Sequence, residues 1–535
     1  MKTKNILPIL MASATLLSAC ANKEPIKDTV SEDTPKVVSS PSFYIEGELP
    51  DIGEYSGKEL VKYHKNASDT FMPSDDYGML IPFTARTKEY TNNEFGELAT
   101  MTYSKEGICT DKGEIVLLPS DATIHYNDYY EDFPYITVTP YDEESFEMML
   151  PSEQTIIPMS GKWSKTFPVG SWITGAGDGV VSVVKMSDPQ TYNHDKLVCY
   201  DYDGELIYEK DGVSYAGEYS HGYINVSLNS DELRNSCYLD KNGAVASDMY
   251  RTCHPFNEHG IAYVYEYDAH GYLINTDFEK ISDVYESIYF EEECIVARKD
   301  DYAELFELDG TYIDTIITQG EYATIHGSGK QLIYSISSKD GDVYKQLNGK
   351  DFVNSEGNAP NTYSSVSGYF VYKDEKENIS TIFNADGKIL AKLENCNGLS
   401  HITDDEKLIV YQKGSYDFEE FVDGRPVYTD PMKTVVYDVE NQKDILALDG
   451  SGGVGYEKEY TGRYITLYTY NDLDFMGGVN KYYLFDTENK ELVFEDCYGI
   501  THTKIEGKEF YSVVTKNFCT LYDGDFNKIL RIINE

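Results

Sequence analysis

The chain has 535 residues, of which 41% are hydrophobic, so it has enough apolar side chains to bury a substantial core. Its 92 acidic and 45 basic residues give a formal net charge of −47, which repels nucleic acid and anionic lipid surfaces, so no nucleic-acid partner is expected. The 48 tyrosines, beside only two tryptophans, are typical of half-buried β-strands.

Residues 1–19 are predicted to be a secretion signal. Lysines precede an apolar stretch over residues 6–17, which is too short to span a membrane because a spanning helix needs about 20 residues. Residues 17–20 read Leu-Ser-Ala-Cys, which resembles the lipobox of bacterial lipoproteins. The resemblance implies cleavage before Cys20 and lipid attachment to its sulfur. An ordinary secretory signal with a coincidental cysteine is the alternative.

Residues 20–42 are predicted to form the lipidated N-terminus and a flexible linker, since they contain three prolines and no aromatic residue. Such a segment, extended at about 3.3 Å per residue, reaches roughly 70 Å. The expected location is the extracytoplasmic face of the cell membrane, with the lipid on Cys20 as the only membrane attachment. In a Gram-negative host, this becomes the periplasmic or surface face of the outer membrane.

From residue 43 onward, one signal recurs: a β-rich run, an Asp-Gly or Asn-Gly turn, and another β-rich run. Such turns predict hairpins, because tight turns that match strand twist need a positive φ in the centre. From Gly204 to the end, and with degenerate copies of the turn included, successive turns are about 33 to 54 residues apart and mostly about 33 to 39, which falls in the range of β-repeat units. Helical periodicity is nearly absent, with one candidate over residues 57–66. The clearest turns contain Gly113, Gly204, Gly243, Gly310 and Gly387.

Hairpins of this kind cannot bury their apolar faces alone, and their edges must be paired or closed off. A ring of stacked four-stranded units satisfies both requirements. The sequence therefore predicts an all-β fold, a β-propeller-like repeat ring of about seven to ten blades over residues 43–535. An open β-solenoid and two smaller propellers are the alternatives.

Eight of the nine cysteines follow Cys20, and none forms a C-x-x-C pair that would indicate a zinc or redox site. Four of them precede a glycine turn by about four to six residues in a strand-like run, which indicates a small buried strand position rather than a disulfide. Whether any bridge forms is left open by the sequence. The eight are Cys109, Cys199, Cys237, Cys253, Cys294, Cys396, Cys497 and Cys519.

No motif in the chain predicts a catalytic or cofactor site. Residues 450–455 match the dinucleotide-binding pattern G-x-G-x-x-G, but a strand-like run follows where that pattern requires a helix. Residues 175–179 are similar, and both segments are interpreted as glycine-rich loops between strands. The G-x-S-x-G and H-E-x-x-H motifs of serine hydrolases and zinc proteases are missing from the sequence.

The histidines and paired aspartates also favour ordinary structural roles. His221 and His259 occupy the same position of neighbouring repeats, which indicates turn-capping or solvent-facing side chains rather than a metal site. Residues 340–342 and 472–474 carry aspartates that suit calcium, although neither segment has the spacing of an EF-hand loop. Calcium is therefore kept only as a possible cofactor.

Two stretches resemble the WG (KWG) repeats of bacterial exported proteins. Residues 219–226 read Tyr-Ser-His-Gly-Tyr-Ile-Asn-Val, and residues 256–264 read Phe-Asn-Glu-His-Gly-Ile-Ala-Tyr-Val, although the signature tryptophan is missing. Residues 435–443 and 482–490 look more like blades of WD or quinoprotein propellers. The resemblance implies a scaffold without one fixed activity.

The leading hypothesis is a membrane-anchored binding or scaffold protein, not an enzyme, that holds a protein, a peptide or a cell-wall glycan. One alternative is a polysaccharide lyase or glycosidase, for which the acidic residues 128–132 and 142–144 offer paired carboxylates. That alternative predicts a deep pocket near the ring axis where carboxylates of shifted pKa meet an arginine or tyrosine. A second alternative is a propeller lipoprotein that assists envelope assembly.

Overall fold

The computed structural model describes most of the chain after residue 70. The predicted signal and linker, Cys20, the helix candidate over residues 57–66, and residues 128–132, 142–144 and 472–474 lie outside the described residues. The described ranges are 71–92, 98–120, 122–127, 133–140, 152–186, 194–230, 232–266, 270–291, 293–318, 323–326, 332–338, 341–362, 364, 366–415, 417–422, 425–455, 463–470, 481–505, 507–515 and 518–533.

All regular secondary structure in these ranges is β-strand, and the strands pair antiparallel in eleven sheets, numbered here in chain order, and one separate two-stranded hairpin. Across the same ranges, no helix has the length and apolar character needed to cross a membrane. Sheets 1 to 4 contain β1 (Leu80–Asn92), β2 (Leu98–Thr110) and β3 (Ile115–Ser120); β4 (Thr123–Asn127), β5 (Tyr135–Thr139), β6 (Gln154–Pro158) and β7 (Lys165–Phe167); β8 (Ser171–Gly177), β9 (Val180–Lys185), β10 (Lys196–Asp201) and β11 (Leu206–Asp211); and β12 (Val213–Ser220), β13 (Tyr223–Leu228) and β14 (Ser236–Asp240).

The next four sheets follow the same serial order. Sheets 5 to 8 contain β15 (Thr252–Cys253), β16 (Ala262–Tyr265) and β17 (Gly271–Ile274); β18 (Ser287–Phe290), β19 (Ile295–Lys299), β20 (Tyr302–Phe306) and β21 (Tyr312–Ile317); β22 (Ala323–His326), β23 (Ile333–Ser338) and β24 (Gly341–Gln346); and β25 (Tyr369–Asp374), β26 (Ile379–Asn384) and β27 (Ile389–Glu394).

Sheet 9 carries an additional two-stranded hairpin, which is inserted between its second and third strands. Sheets 9 to 11 and this hairpin contain β28 (Cys396–Ile402), β29 (Leu408–Lys413), the hairpin strands β30 (Phe418–Val422) and β31 (Arg425–Tyr428), β32 (Lys433–Asp438) and β33 (Lys443–Asp449); β34 (Ser451–Val454), β35 (Tyr464–Tyr470), β36 (Lys481–Asp486) and β37 (Glu491–Cys497); and β38 (Gly499–Ile505), β39 (Lys508–Val514), β40 (Phe518–Asp523) and β41 (Lys528–Ile533).

Neighbouring sheets share apolar cores all the way round, and the last sheet packs against the first. One core joins Leu80 and Ile108 of sheet 1 to Phe510 and Leu521 of sheet 11. The sheets therefore close into a single ring, which confirms the β-propeller and excludes the open solenoid and the two smaller rings. The ring has eleven blades rather than about seven to ten, because five of its sheets have only three strands and use less chain.

The recurring turns combine a side-chain cap with a glycine. In the turn from β10 to β11, the Asp201 carboxylate accepts hydrogen bonds from the backbone N–H groups of Asp203 (3.0 Å) and Glu205 (2.8 Å). The Gly204 N–H donates to the Asp201 carbonyl (3.0 Å), and Gly204 has a φ of 81°. This is a type I turn followed by a glycine bulge, so the glycine sits after the turn and not in its centre as expected.

The same glycines also touch the preceding sheet. A Cβ built on Gly243 would lie 2.7 Å from the Tyr208 ring, and one on Gly387 would lie 2.8 Å from the Val353 carbonyl oxygen. A Cβ on Gly113 would lie 2.4 Å from the carbonyl oxygen of Ile529, in the last sheet. Gly113 therefore adds a close backbone contact to the apolar core that joins the last sheet to the first.

The eight cysteines of the ring are all buried and free of disulfides. Cys109, Cys199, Cys237 and Cys519 lie on β2, β10, β14 and β40, just before the glycine turns. The prediction of small buried strand positions is therefore confirmed for these four. Burial raises the pKa of the Cys253 thiol to about 12, so the thiol stays protonated at neutral pH.

The two glycine-rich segments lie partly in strands, which corrects their interpretation as loops: residues 175–177 and 451–454 are strand, and residues 178–179 form a turn. Gly177 lies in β8 and Gly453 in β34, each the first strand of its sheet and at its edge. A Cβ on Gly177 would lie 2.1 Å from the Tyr219 carbonyl oxygen on β12, and one on Gly453 would lie 2.2 Å from Ser400 Oγ on β28. Neighbouring sheets converge at this edge, so it faces the ring axis, and glycine is required where the backbones approach closely. We call β8, β12, β28 and β34 the inner strands.

Candidate functional site

Two large aromatic side chains stand half-exposed on neighbouring inner strands. Trp172 on β8 is 53% exposed and Tyr215 on β12 is 54% exposed. The other tryptophan has a structural role, because the Trp163 ring stacks on Phe133 and its Nε1 donates to the Tyr202 carbonyl (2.9 Å). Trp172 and Tyr215 are therefore free to contact a ligand at the axial edge of sheets 3 and 4.

Contacts between β8 and β12 place the two rings at nearly the same level along the axis. Gly177 faces the Tyr219 carbonyl, and the hydroxyl of Ser182, which pairs with Gly175, donates to the Gly217 carbonyl (3.3 Å). From these two contacts, the same number of residues toward the start of each strand leads to Trp172 on β8 and to Tyr215 on β12, within about one residue. One residue corresponds to ~3.3 Å along a strand.

The two rings project from successive blades. Trp172 pairs with Val184, whose side chain belongs to the core shared with sheet 4. Tyr215 pairs with Ser227. The Ser227 hydroxyl bonds to the Ser236 hydroxyl (3.0 Å), which lies on the face toward sheet 5. Paired residues point to the same face of a sheet, so β12 separates the two rings.

Polar groups lie on the same strands as both rings. The Thr174 hydroxyl bonds to that of Ser182 (2.8 Å) on β9, and the Ser214 hydroxyl donates to the Ser227 carbonyl (3.1 Å). Partial burial raises the pKa of Tyr215, and the nearby Glu218 carboxylate raises it further. Burial and the same carboxylate raise the pKa of Tyr135 to about 12. The inner edge of sheets 3 and 4 thus presents aromatic faces, hydroxyl groups and one carboxylate together.

A second candidate is a cleft of about 340 Å³ between sheets 5 and 6. Glu286 precedes β18, and Asp300 and Asp301 form the turn from β19 to β20. The turn and the strand start converge because β18, β19 and β20 are adjacent in one sheet. The lining residues are His270, Val284, Glu286, Lys299, Asp300, Asp301 and Tyr302.

The Glu286 and Asp300 carboxyl groups act as a pair. A hydrogen bond with Asp300, together with its charge, raises the pKa of Glu286, and the charge of His270 opposes the increase. Two carboxyl groups in hydrogen-bonding contact are closer than the ~5 Å of retaining glycosidases or the ~6.5–9.5 Å of inverting ones. This pair therefore lacks the spacing of either glycosidase mechanism.

We expect Asp300→Asn to lower the pKa of Glu286 toward its ordinary value, because the substitution removes the neighbouring negative charge and the shared proton. Carboxyl NMR titration of Glu286 measures the change. Asp301→Asn is the matched control in the same turn and is expected to leave that pKa nearly unchanged. Equal pKa values in the wild type and Asp300→Asn would contradict the pairing.

His221 and His259 lie in the turns between the first and second strands of sheets 4 and 5. His221 has a φ of 54° in the turn from β12 to β13, and its Nε2 lies 3.0 Å from the Asn257 carbonyl oxygen. His259 is exposed beside Glu258 (3.2 Å). Both histidines thus lie in turns, and the Asn257 carboxamide oxygen, rather than a histidine, caps the turn that contains His259.

The possible calcium segment at residues 340–342 is described only in part. Asp342 lies in β24, and its carboxylate accepts a hydrogen bond from the Ser337 hydroxyl (2.8 Å). In the portion of the chain with assigned coordinates, no three His, Cys, Asp or Glu side chains converge as metal ligands. Calcium remains a prediction from the sequence.

Sequence comparisons find no matching family model and no matching curated protein. Among solved structures, a eukaryotic initiation factor has 10% identity and a TM-score of 0.35, over 64% of this chain and 92% of that chain. BamB from Moraxella catarrhalis has 15% identity and a TM-score of 0.27, over 49% and 86%. Apo AztD from Citrobacter koseri has 11% identity and a TM-score of 0.26, over 72% and 93%. Similarities at this level carry no argument about the ligand or the activity.

Proposed function

We propose that this chain is a lipid-anchored extracytoplasmic binding protein that holds a protein, a peptide or a cell-wall glycan on the inner edge of its ring. The observation that carries the proposal is the exposure of Trp172 and Tyr215 on neighbouring inner strands. Tryptophan and tyrosine combine large contact area with few rotatable bonds, and both are enriched in binding surfaces. The closed propeller supplies the rigid frame that holds the two aromatic side chains in place.

The anchor is proposed from the Leu-Ser-Ala-Cys sequence at residues 17–20 and the proline-containing linker that follows. Lipid on Cys20 would keep the ring at the membrane surface, and the linker would let it stand away from the bilayer. The WG-like units at residues 219–226 and 256–264 support a scaffold role, because such repeats occur without a fixed activity.

Site-specific photo-crosslinking in cells tests both parts of the proposal. A photoreactive residue at Tyr215 is expected to give discrete adducts in the membrane fraction, and Cys20→Ser is expected to release them into the soluble fraction. The control is the same residue at Tyr312, which is 53% exposed on the outer strand β21. Identical adducts at both positions, or none at Tyr215, would contradict the proposal.

A further inference from the structure

The aromatic rings on the inner strands stand singly among polar groups. Thr174 lies two residues after Trp172 on β8, and Ser214 precedes Tyr215 on β12; both are partly exposed. The carboxylate of Glu218 lies close enough to raise the pKa of Tyr215. Around each aromatic side chain, the surface therefore combines an apolar aromatic face with polar groups beside it.

This chemistry excludes several ligand classes. The net charge of −47 repels nucleic acid and anionic lipid. An apolar peptide segment would need a continuous apolar surface, whereas β12 separates the two rings, and Thr174, Ser214 and Glu218 lie on the same strands. A pyranose has the complementary form, with C–H faces that pack on an aromatic ring and hydroxyl groups around its edge.

We propose that Trp172 and Tyr215 stack on two sugar rings of one glycan chain, and that Glu218 accepts hydrogen bonds from the sugar hydroxyl groups. This inference rests on the proposed function, since it names the ligand class of the same surface. Each ring contributes dispersion contact over its whole face, and a carboxylate acceptor gives a hydrogen bond stronger than a neutral one.

The ionisation of the site agrees with this role. The Tyr215 hydroxyl is protonated at neutral pH, as a tyrosine ordinarily is, so it is available to donate a hydrogen bond. Glu218 supplies acceptors only. A neutral sugar, which both donates and accepts, can satisfy both groups without bringing further negative charge to the surface.

Tryptophan fluorescence of the full chain tests the inference directly, because only two tryptophans are present. Trp163→Phe leaves Trp172 as the single reporter. We expect a β-1,4-linked N-acetylglucosamine tetrasaccharide or an α-1,4-linked glucose tetrasaccharide to shift its emission to the blue saturably, since a stacked sugar removes water from the ring. The tetrasaccharide that binds more tightly identifies the source of the glycan.

Loss of one stacking contact is expected to weaken binding about tenfold in Tyr215→Ala. Tyr312→Ala removes an equally exposed tyrosine from the outer strand β21 and is expected to leave the affinity unchanged. Thermal unfolding of each variant checks that the ring is intact, and Tyr215→Phe, which keeps the aromatic face, is expected to retain most of the affinity.

Several outcomes would overturn the inference. A saturable response to a peptide but to neither sugar would leave the proposed function standing and remove the glycan assignment. Equal weakening by Tyr312→Ala and Tyr215→Ala would show that the inner edge is not the binding surface. No response to any probe, together with no adduct at Tyr215, would overturn the inference and the proposed function together.

Discussion

Gly113→Ala is expected to destabilise the ring by roughly 2–5 kcal/mol, the largest effect among the described glycines of positive φ. Alanine at a φ of +81° costs about 1–2 kcal/mol. The added Cβ would also lie 2.4 Å from the Ile529 carbonyl oxygen, and relieving such overpacking costs about 1–3 kcal/mol. The clash is with backbone, so a side-chain rotation cannot remove it.

Gly349→Ala is the matched control for the closing contact. Gly349 ends an equivalent turn with a φ of +77°, but no atom lies within 4 Å of its built Cβ. We expect Gly349→Ala to lower the free energy of unfolding by only the cost of placing alanine at a positive φ, about 1–2 kcal/mol. Urea unfolding and hydrogen exchange of β1 to β3 and β38 to β41 measure the difference. Equal losses in the two variants would mean that sheet 1 does not press against sheet 11.

Lys490→Met is expected to cost roughly 2–3 kcal/mol, because it leaves a buried carboxylate without its cation. Asp438 is 1% exposed, and Lys490 Nζ lies 2.5 Å from its Oδ2. Burial alone would raise the pKa of Asp438, but hydrogen bonds from Lys490 and Asn441 outweigh it and lower the pKa from 3.8 to about 2. That difference corresponds to roughly 2 kcal/mol of stability.

The pH dependence gives this prediction a sign. The pKa of Asp438 is lower in the folded chain than in the unfolded one, so its contribution is complete above about pH 5 and is lost as the pH falls through about 2. We expect the wild type to lose this contribution to its free energy of unfolding as the pH falls. We expect Lys490→Met to lose much less over the same pH range. Denaturant unfolding at several pH values measures both.

A surface ion pair provides the comparison. Lys407 and Asp405 lie 2.7 Å apart, with side chains 63% and 52% exposed. Water screens such a pair, so Lys407→Met is expected to change stability by no more than about 0.5 kcal/mol. If Lys490→Met cost no more than Lys407→Met, the buried pair would have no special role in joining sheets 9 and 10.

Local turn chemistry made the repeat architecture predictable from the sequence. Glycines such as Gly204 and Gly243 mark the hairpins, and capping residues such as Asp201 and Asp240 stand three positions before them. These turn signals involve residues only a few positions apart in the sequence, so they can be recognised without knowledge of the fold. The number of blades was less predictable, because it depends on whether a sheet ends with three or four strands.

The inner edge could not be recognised from local patterns. Gly177 and Gly453 read as loop residues because glycine disfavours strands, and only the approach of β12 and β28 explains why these strands need them. The exposure of Trp172 and Tyr215 depends on the same convergence of sheets. The cleft pair Glu286 and Asp300 was equally hidden, since acidic residues are common throughout the sequence.

The central claim is that eleven sheets close into one ring, and a distance between its two ends tests it most directly. Double electron–electron resonance between labels at Lys112→Cys and Asn527→Cys is suitable, because both sites are exposed and the native cysteines of the ring are buried. Closure predicts one short distance, comparable to a sheet spacing of about 10 Å plus the label arms. Eleven sheets stacked openly at that spacing would separate the labels by roughly 100 Å, and such a separation would contradict the ring.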